Sequence, residues 1–228
     1  MIRHAFAVLG VVGLCAPAFA EPPFDINLVA NPGAESGPSS GGGTVPVPIP
    51  GWQVNGDLTV ASYGQPGLPS ASSPGAPDRG VQFFIGGPGP TSSPSASQSI
   101  DVSAGAFEID QGRVDFHISA YLGGVTGQDD TAIVAAVFND SVGESLGTTN
   151  LLGPTNAARL NQTGMLLRQR VGNLPAGTRS ITLILTMSRA NTGLNEGCAD
   201  GLSLSLTVGN CPADWNADSG VDGAHVIL

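Results

Sequence analysis

Apolar and polar side chains alternate with a period of two through most of this chain. The clearest example is 114–121, where Val, Phe, Ile and Ala alternate with Asp, His, Ser and Tyr. A β-strand points successive side chains to opposite faces of its sheet, so this pattern predicts a strand with one buried face. Eight further segments are predicted as strands: Ile26–Ala30, Leu58–Tyr63, Val81–Ile85, Ala96–Val102, Thr131–Phe138, Met165–Val171, Arg179–Met187 and Gly201–Val208.

Stretches rich in glycine, proline and serine separate these segments. They cover 36–43, 64–79, 86–94 and 123–130. The one helix-like segment, 156–160, is too short to nucleate a helix alone. Short strands between turns, without a convincing helix, predict an all-β fold, an antiparallel two-sheet sandwich. Long loops on such a rigid scaffold are where binding residues usually lie.

The first 20 residues have the pattern of an export signal. Arg3 provides a positive charge, residues 5–14 form an apolar stretch too short to span a bilayer, and Ala18 and Ala20 suit cleavage before Glu21. No second apolar run is long enough to predict a membrane span. We therefore expect residues 1–20 to be removed and the domain to be secreted or held at the cell surface.

Two cysteines, Cys198 and Cys211, follow the signal. Such pairs usually form disulfides in an oxidising compartment, and closing this loop would stabilise the fold by about 3 kcal/mol. A metal site is the alternative, but no histidine or third cysteine lies at ligand spacing. The sequence favours a Cys198–Cys211 disulfide.

The charge balance excludes one class of partner. The chain has 18 acidic residues against eight arginines and no lysine, and its formal net charge is −10 at pH 7. Nucleic-acid binding depends on clustered Lys and Arg that displace counterions from phosphates. We therefore expect no nucleic-acid partner, whereas metal cations remain attractive ligands.

Two motifs bracket residues 26–206. Residues 27–35 read NLVANPGAE and are followed by PGW at 50–52, and residues 198–204 read CADGLSL. Together they resemble the galactose-binding-like jelly rolls of bacterial secreted proteins, which include carbohydrate-binding modules. The resemblance implies an antiparallel jelly-roll β-sandwich over 21–209 and a polysaccharide or cell-surface glycan as partner.

Several carbohydrate-binding modules of this type hold a structural calcium. Carried over to this chain, the resemblance implies Glu35, the Gly33 carbonyl and Asp200 as ligands, with Asp78 as a weaker candidate. Oxygen ligands of this kind suit a hard cation. The alternative is that Glu35 and Asp200 only accept hydrogen bonds from turn amides.

The chain departs from the family pattern in two ways. Ala34 replaces the usual Phe, and Gly201 replaces the usual Asn. Sugar binding in such modules also depends on exposed aromatic rings, and aromatic residues make up only 5% of this chain. The aromatic residues considered as sugar platforms are Trp52, Tyr63, Phe84 and Tyr121.

The tail, 210–228, contains the acidic half of an EF-hand-type loop at 214–222, which reads DWNADSGVD. The expected ligands are Asp214, Asn216, Asp218, Gly220 (through its carbonyl) and Asp222. The segment resembles a truncated dockerin type I repeat, which implies calcium, and a cohesin-like partner if the full-length protein completes the tail. Ser219 and His225 stand where glycine and a closing carboxylate are usual, so we expect weak calcium binding.

Catalytic motifs are weak in this sequence. Residues 143–147 read GESLG, but the G-x-S-x-G motif needs a strand-to-helix turn beside a parallel sheet. His117 lies on the polar face of a predicted strand. Asp129 and Asp130 are consecutive residues of a predicted loop, and neither has an evident partner acid. We therefore predict that the chain is not an enzyme. We predict an exported β-sandwich module for carbohydrate binding or surface attachment. Two alternatives stay open: a structural surface or assembly protein without a small ligand, and an accessory fragment of a secreted glycoside hydrolase.

Overall fold

The chain folds into a β-sandwich of two antiparallel five-stranded sheets, which confirms the predicted all-β jelly-roll class. The computed structural model describes residues 23–190 and 192–209. The strands are β1 (Gln53–Asn55), β2 (Thr59–Ser62), β3 (Gln82–Gly87), β4 (Ser95–Asp101), β5 (Val114–Gly124), β6 (Thr131–Asn139), β7 (Ser145–Leu152), β8 (Gly164–Asn173), β9 (Ser180–Ser188) and β10 (Asn195–Val208). The helical elements of the described residues are α1 (Ala106–Asp110) and 3₁₀ turns at Ser103–Gly105 and Ala157–Arg159.

The first sheet, sheet A, has the strand order β1-β4-β9-β6-β7, and the second, sheet B, has the order β2-β3-β10-β5-β8. The last two strands along the described chain are therefore central, since β9 lies between β4 and β6 and β10 lies between β3 and β5. β10 is hydrogen-bonded to β5 from Cys198 to Val208. The last described strand is therefore at the centre of sheet B.

The main core lies between the two sheets and follows directly from the alternating pattern. Every second residue of β5, β6 and β9 is buried. Phe116 from sheet B meets Phe138 from sheet A, with ring centroids 5.0 Å apart. Burying side chains of this size from both sheets supplies most of the driving force for the sandwich.

A second apolar cluster lies on the outer face of sheet B. It includes Phe83, Ile85 and Met165, all essentially inaccessible to solvent, together with Leu68 from the loop 64–79. This loop is fixed in place by Met165, whose N–H donates to the Pro74 carbonyl at 2.8 Å. The chain thus covers part of this outer face with its own loop.

The predicted strand at 26–30 is wrong. Asp25 and Leu28 donate single backbone bonds to the Leu206 and Leu204 carbonyls of β10, but the segment forms no continuous ladder. The Asn27 side chain replaces ladder bonds, because its amide donates to the Leu202 carbonyl and its oxygen accepts the Leu204 N–H.

The pairing predicted for Cys198 and Cys211 is not tested by the described residues, because Cys211 lies outside them. Cys198 is fully buried at one end of the β10–β5 ladder, and Val208 lies at the other end, nine β5 residues away. The disulfide therefore stays a prediction.

The signal at 1–20 and the dockerin-like tail at 210–228 lie outside the described residues, and both stay predictions. Among the described helical segments, none has the length and apolar character to cross a membrane.

Candidate functional site

A cleft of about 360 Å³ opens where the first sequence motif meets β10. Its lining brings together all four residues proposed for the sandwich calcium site, although they are spread from 33 to 200 in the sequence. The lining residues are Asn31, Pro32, Gly33, Glu35, Ser36, Ala76, Asp78, Arg79, Asp200 and Gly201.

A β-bulge in β10 delivers Asp200 to this cleft. The register with β5 shifts between Asp200 and Ser203, and Gly201 has a left-handed φ of +56°. Glycine and asparagine are the residues that adopt this conformation most readily, which explains why Gly201 can stand where related sequences have Asn. The Leu202 N–H beyond the bulge donates to the Pro32 carbonyl at 3.1 Å, so the first motif docks at the bulge.

Asp200 is the buried carboxylate of the cleft, with 1% of its surface exposed. Its Oδ2 accepts the Tyr63 hydroxyl at 2.6 Å, and its Oδ1 accepts the Gly201 N–H at 2.7 Å. A Cβ on Gly33 would lie 3.1 Å from Oδ1, so glycine lets the backbone of the first motif approach the carboxylate closely.

Glu35 holds the start of β3. Its Oε1 accepts the backbone N–H groups of Val81 and Gln82 at 2.9 and 2.8 Å. Gly80, with a φ of +64°, passes so close to this carboxylate that a side chain at position 80 would overlap it. One oxygen of Glu35 therefore accepts hydrogen bonds from turn amides, which was the alternative to a role as a calcium ligand.

The electrostatics of the cleft disfavour an ionised Asp200. Burial raises the pKa of Asp200 to about 7, and the negative charges of Glu35 and Asp78 add to the rise, against the lowering effect of its two hydrogen bonds. Burial and Asp200 also raise the pKa of Tyr63 far above its ordinary value, so the phenol stays protonated and donates. A cation in the cleft would offset this accumulated negative charge.

Arg79 lies at the cleft but does not neutralise it by an ion pair. Its guanidinium donates to the carbonyls of Ala76, Ser70 and Ser73, and its Cζ lies 5.4 Å from the Tyr63 ring centroid. Arg79 thereby fixes the loop 64–79 against the same tyrosine that binds Asp200. The loop and the cleft are connected through Tyr63.

The cleft offers too few side-chain ligands to hold a metal ion by side chains alone. Across 23–190 and 192–209, no three acidic, histidine or cysteine side chains are grouped closely enough to hold a metal ion. A hard cation at Asp200 would therefore need backbone carbonyls, such as that of Gly33, and water among its ligands. The five tail residues proposed for calcium, from Asp214 to Asp222, lie outside the described residues.

Two of the four aromatic residues considered as sugar platforms belong to the core. Trp52 is 8% exposed and meets the inaccessible Phe84 edge to face at 5.3 Å, and its indole N–H donates to the Asn31 carbonyl. Tyr63 is half-buried and engaged with Asp200. Tyr121 is half-buried, and a Cβ on Gly201 would lie 3.5 Å from its ring, so it borders the cleft.

A polar face, which the sequence alone did not reveal, continues from Tyr121 along the outer side of sheet B. Ser119 pairs with Ser203 and with Gln169, and His117 pairs with Ser205, all on the outward side of their strands. These side chains are partly or fully exposed, in contrast to the covered cluster at the other end of the same face. Outward hydroxyl, imidazole and amide groups in register form a continuous surface of hydrogen-bonding groups beside the cleft.

The residues considered for catalysis have structural roles. Asp130 is buried and accepts the N–H groups of Ala190 and Glu196, and Asp129 accepts the Asn156 N–H. Ser145 is exposed at the start of β7, an edge strand of an antiparallel sheet. The turn that activates serine in the G-x-S-x-G motif is therefore not present at this position.

No protein-family model matches this chain, and a search of curated proteins finds no match. Solved structures do match. A cyclase from Fischerella sp. TAU, solved in complex with 4-(1H-indol-3-yl)butan-2-one, is 12% identical over 84% of this chain and 100% of its own, with a TM-score of 0.50. That likeness shows a shared fold.

Two further structures are more distant in shape. A family 16 carbohydrate-binding module is 15% identical over 78% of this chain and 99% of its own, with a TM-score of 0.47. The enzymatically active domain of tailspike protein 4 of bacteriophage CBA120 is 14% identical over 79% of this chain, with a TM-score of 0.49. The chain spans about a fifth of the tailspike domain's length, 21%.

Proposed function

We propose that this chain is an exported, non-catalytic carbohydrate-binding module that holds calcium in the cleft at Asp200. The observation that carries the proposal is the continuity of two surfaces, the acidic cleft and the outward polar face of β5, β8 and β10, which meet at Tyr121. The resemblance of the two sequence motifs to galactose-binding-like jelly rolls supports the same role.

The polar face has the chemistry that a neutral sugar chain needs. Ser119, Ser203, Ser205 and His117 offer hydroxyl and imidazole groups that both donate and accept, and Tyr121 adds a ring edge at one end. The carboxylates of the cleft, and the net charge of −10, oppose sugars that carry carboxylates or sulfates. Neutral polysaccharides are therefore the proposed ligand class.

The calcium has a structural role in this proposal. The carboxylate of Asp200, the free oxygen of Glu35 and the Gly33 carbonyl would hold it, and water would complete its coordination. Bound calcium supplies a positive charge that neutralises Asp200 and ties the first motif to β10. The residues of 214–222 form a second proposed calcium loop, and a cohesin-like protein is its proposed partner if the full-length protein completes the repeat.

Isothermal titration of residues 21–228 with neutral soluble polysaccharides tests the carbohydrate role, after a glycan array has selected the ligand. His117→Ala and Tyr121→Ala should weaken binding, whereas Thr182→Ala, on the outer face of sheet A, should leave it unchanged. Circular dichroism of each variant shows whether the fold is intact. If no neutral glycan binds at millimolar concentration, the structural surface protein becomes the better interpretation.

Calcium titration in the absence of sugar tests the metal separately. Glu35→Gln combined with Asp200→Asn should remove the cleft site, Asp218→Asn should weaken the tail site, and Asp115→Asn, an exposed acid on β5, should change neither. Unchanged calcium binding in the cleft double variant would contradict the cleft site, whatever the glycan experiments show.

A further inference from the structure

The outer face of sheet A is uncovered within the described residues, unlike the outer face of sheet B. On β4, β9 and β6 every second residue is buried in the core, and on β7 Thr149 and Leu151 are buried. The outward residues of these four strands are all partly or fully exposed. At the end of β7, Leu152 is 65% exposed. This face therefore meets solvent across its four principal strands.

This face carries almost no charge. Its central part consists of three rows that run across the four strands: Ser99, Thr182, Val137 and Thr148; Ser97, Ile184, Ala135 and Asn150; and Ser95, Thr186, Ile133 and Leu152. None of these side chains ionises. Asp101, at one corner, is the acidic residue on the outward side of these strands.

The absence of charge on this face is selective, because the protein as a whole has a formal net charge of −10. Two copies that approach through most other surfaces bring like charges together, which repel. Two copies that approach through the outer face of sheet A bring together methyl, hydroxyl and amide groups. The face therefore meets a second copy of itself without repulsion between like charges.

The size of the face approaches that of a dimer interface. Four strands at a spacing of about 4.8 Å and a length of nine residues in β9 give a surface of about 19 by 30 Å, roughly 580 Å² on each copy before the relief of the side chains is added. A standard stable interface buries about 800 Å² on each partner. Flat sheets of this kind pack face to face at about 10 Å.

We propose that the outer face of sheet A binds a second copy of this chain, in a face-to-face dimer centred on Ile184. The contact is isologous, so each copy contributes the same three rows. The polar face of sheet B and the cleft at Asp200 stay exposed on opposite sides of the dimer, which presents two ligand sites at once. The dimer does not depend on the proposed carbohydrate role.

Sedimentation velocity of residues 21–228, from low micromolar to high micromolar concentration, tests this proposal. The chain should sediment as a dimer, and Ile184→Glu should weaken association by roughly 100-fold or more because the two introduced carboxylates face each other. Val171→Glu, a matched change at a 65% exposed position on β8, should leave the dimer intact. Higher salt should tighten the dimer, since it screens repulsion between the acidic copies.

A charge-exchange experiment separates a lost contact from a lost fold. Ile184→Glu and Ile184→Arg should each be monomeric alone, and an equimolar mixture of the two should form a heterodimer. A wild-type chain that stays monomeric throughout the concentration range would overturn the proposal. So would a dimer that Val171→Glu disrupts and Ile184→Glu does not.

Discussion

The Tyr63 hydroxyl lies 2.6 Å from Oδ2 of the buried Asp200, a contact between residues 137 positions apart in the sequence. Tyr63 follows β2, and Asp200 lies at the bulge of β10, two strands away in sheet B. The hydrogen bond thus connects the edge of the sheet to its centre. Because the acceptor is a desolvated carboxylate, this single bond is among the stronger polar contacts of the fold.

Removal of this hydroxyl should destabilise the protein. We expect Tyr63→Phe to lower the free energy of unfolding by about 2 kcal/mol at pH 8 in EDTA, since a bond to a charged group contributes about 1.5–3 kcal/mol. Urea denaturation measures the change. Tyr121→Phe is the control, because its hydroxyl has no hydrogen bond to any described residue. Equal losses in the two variants would contradict a specific role for the Tyr63–Asp200 bond.

Asp200 should make the metal-free protein less stable as the pH rises. Its pKa is about 7 in the folded chain against an ordinary value of 3.8, so the folded state retains the proton that the unfolded state loses. Stability is then full below pH 3.8 and declines as the pH rises to about 7, by on the order of 4 kcal/mol.

The decline is measured by urea denaturation in EDTA between pH 4 and pH 8. Asp200→Asn should flatten the profile because it keeps an acceptor for Tyr63 and cannot ionise, and calcium should restore stability at the alkaline end. Asp115→Asn should leave the slope unchanged. A profile for Asp200→Asn as steep as that of the wild type would show that another group causes the decline.

Gly80→Ala should disturb the cleft, and Gly64→Ala should not. Both glycines have a positive φ, +64° and +83°, so each substitution carries a backbone cost of about 1 kcal/mol. Only the Cβ at position 80 meets Glu35, whereas nothing lies within 4 Å of a Cβ at position 64.

We therefore expect Gly80→Ala to weaken calcium binding in the cleft and to cost about 1 kcal/mol more than Gly64→Ala, since Glu35 must release the Val81 and Gln82 amides. Calorimetric titration and thermal melts provide the two measurements. Similar calcium affinity in both variants would argue against Glu35 as a ligand.

Arg159 should be the arginine whose loss harms stability most. It is 4% exposed in the 3₁₀ turn after β7, and its guanidinium donates to the carbonyls of Gly124, Val125, Gln128 and Gln162. Arg159→Ala leaves these carbonyls without their donor and should cost about 3–5 kcal/mol. Arg168→Ala, at the β8 edge, should cost less than about 1 kcal/mol. Comparable melting temperatures for the two variants would contradict this role.

Cys198 should behave as a free and inaccessible thiol. Burial raises the pKa of this thiol well above its ordinary value, and the Sγ donates to the Glu196 carbonyl. Cys198→Ser should therefore leave unchanged the number of thiols per native chain that react with a thiol reagent. A reducing agent should not shift the melting temperature. A titre that rises by one thiol in Cys198→Ser would show that Cys198 and Cys211 are paired after all.

The strands that the sequence predicts well are those in which one face is wholly apolar. β5, β6 and β9 alternate without interruption, so their existence and burial follow from the pattern. β7 was not predicted, because Gly147 and the buried Thr149 interrupt the apolar positions of its inner face. The segment 26–30 has strand-like composition, but the Asn27 side chain, in place of the backbone, accepts the Leu204 N–H of β10. Asn31 then has a left-handed φ of +47°, which ends the extended segment.

The candidate site was predictable only where a motif marked it. Gly33, Glu35 and Asp200, proposed as calcium ligands, line one cleft because the motifs they belong to meet at the β10 bulge, and Asp78 lies in the same lining. The contact of Tyr63 with Asp200 depends on the strand order β2-β3-β10, which local sequence does not encode. The Cys198–Cys211 disulfide stays a prediction, since Cys211 lies outside the described residues.

The central positions of β9 and β10 have a consequence for biogenesis. Until residues 180–208 have left the ribosome, β4 and β6 have no neighbour between them in sheet A, and β3 and β5 have none in sheet B. Contacts that join such distant parts of a chain form slowly. A polypeptide built in this order closes its sandwich only after its last described strands have been synthesised.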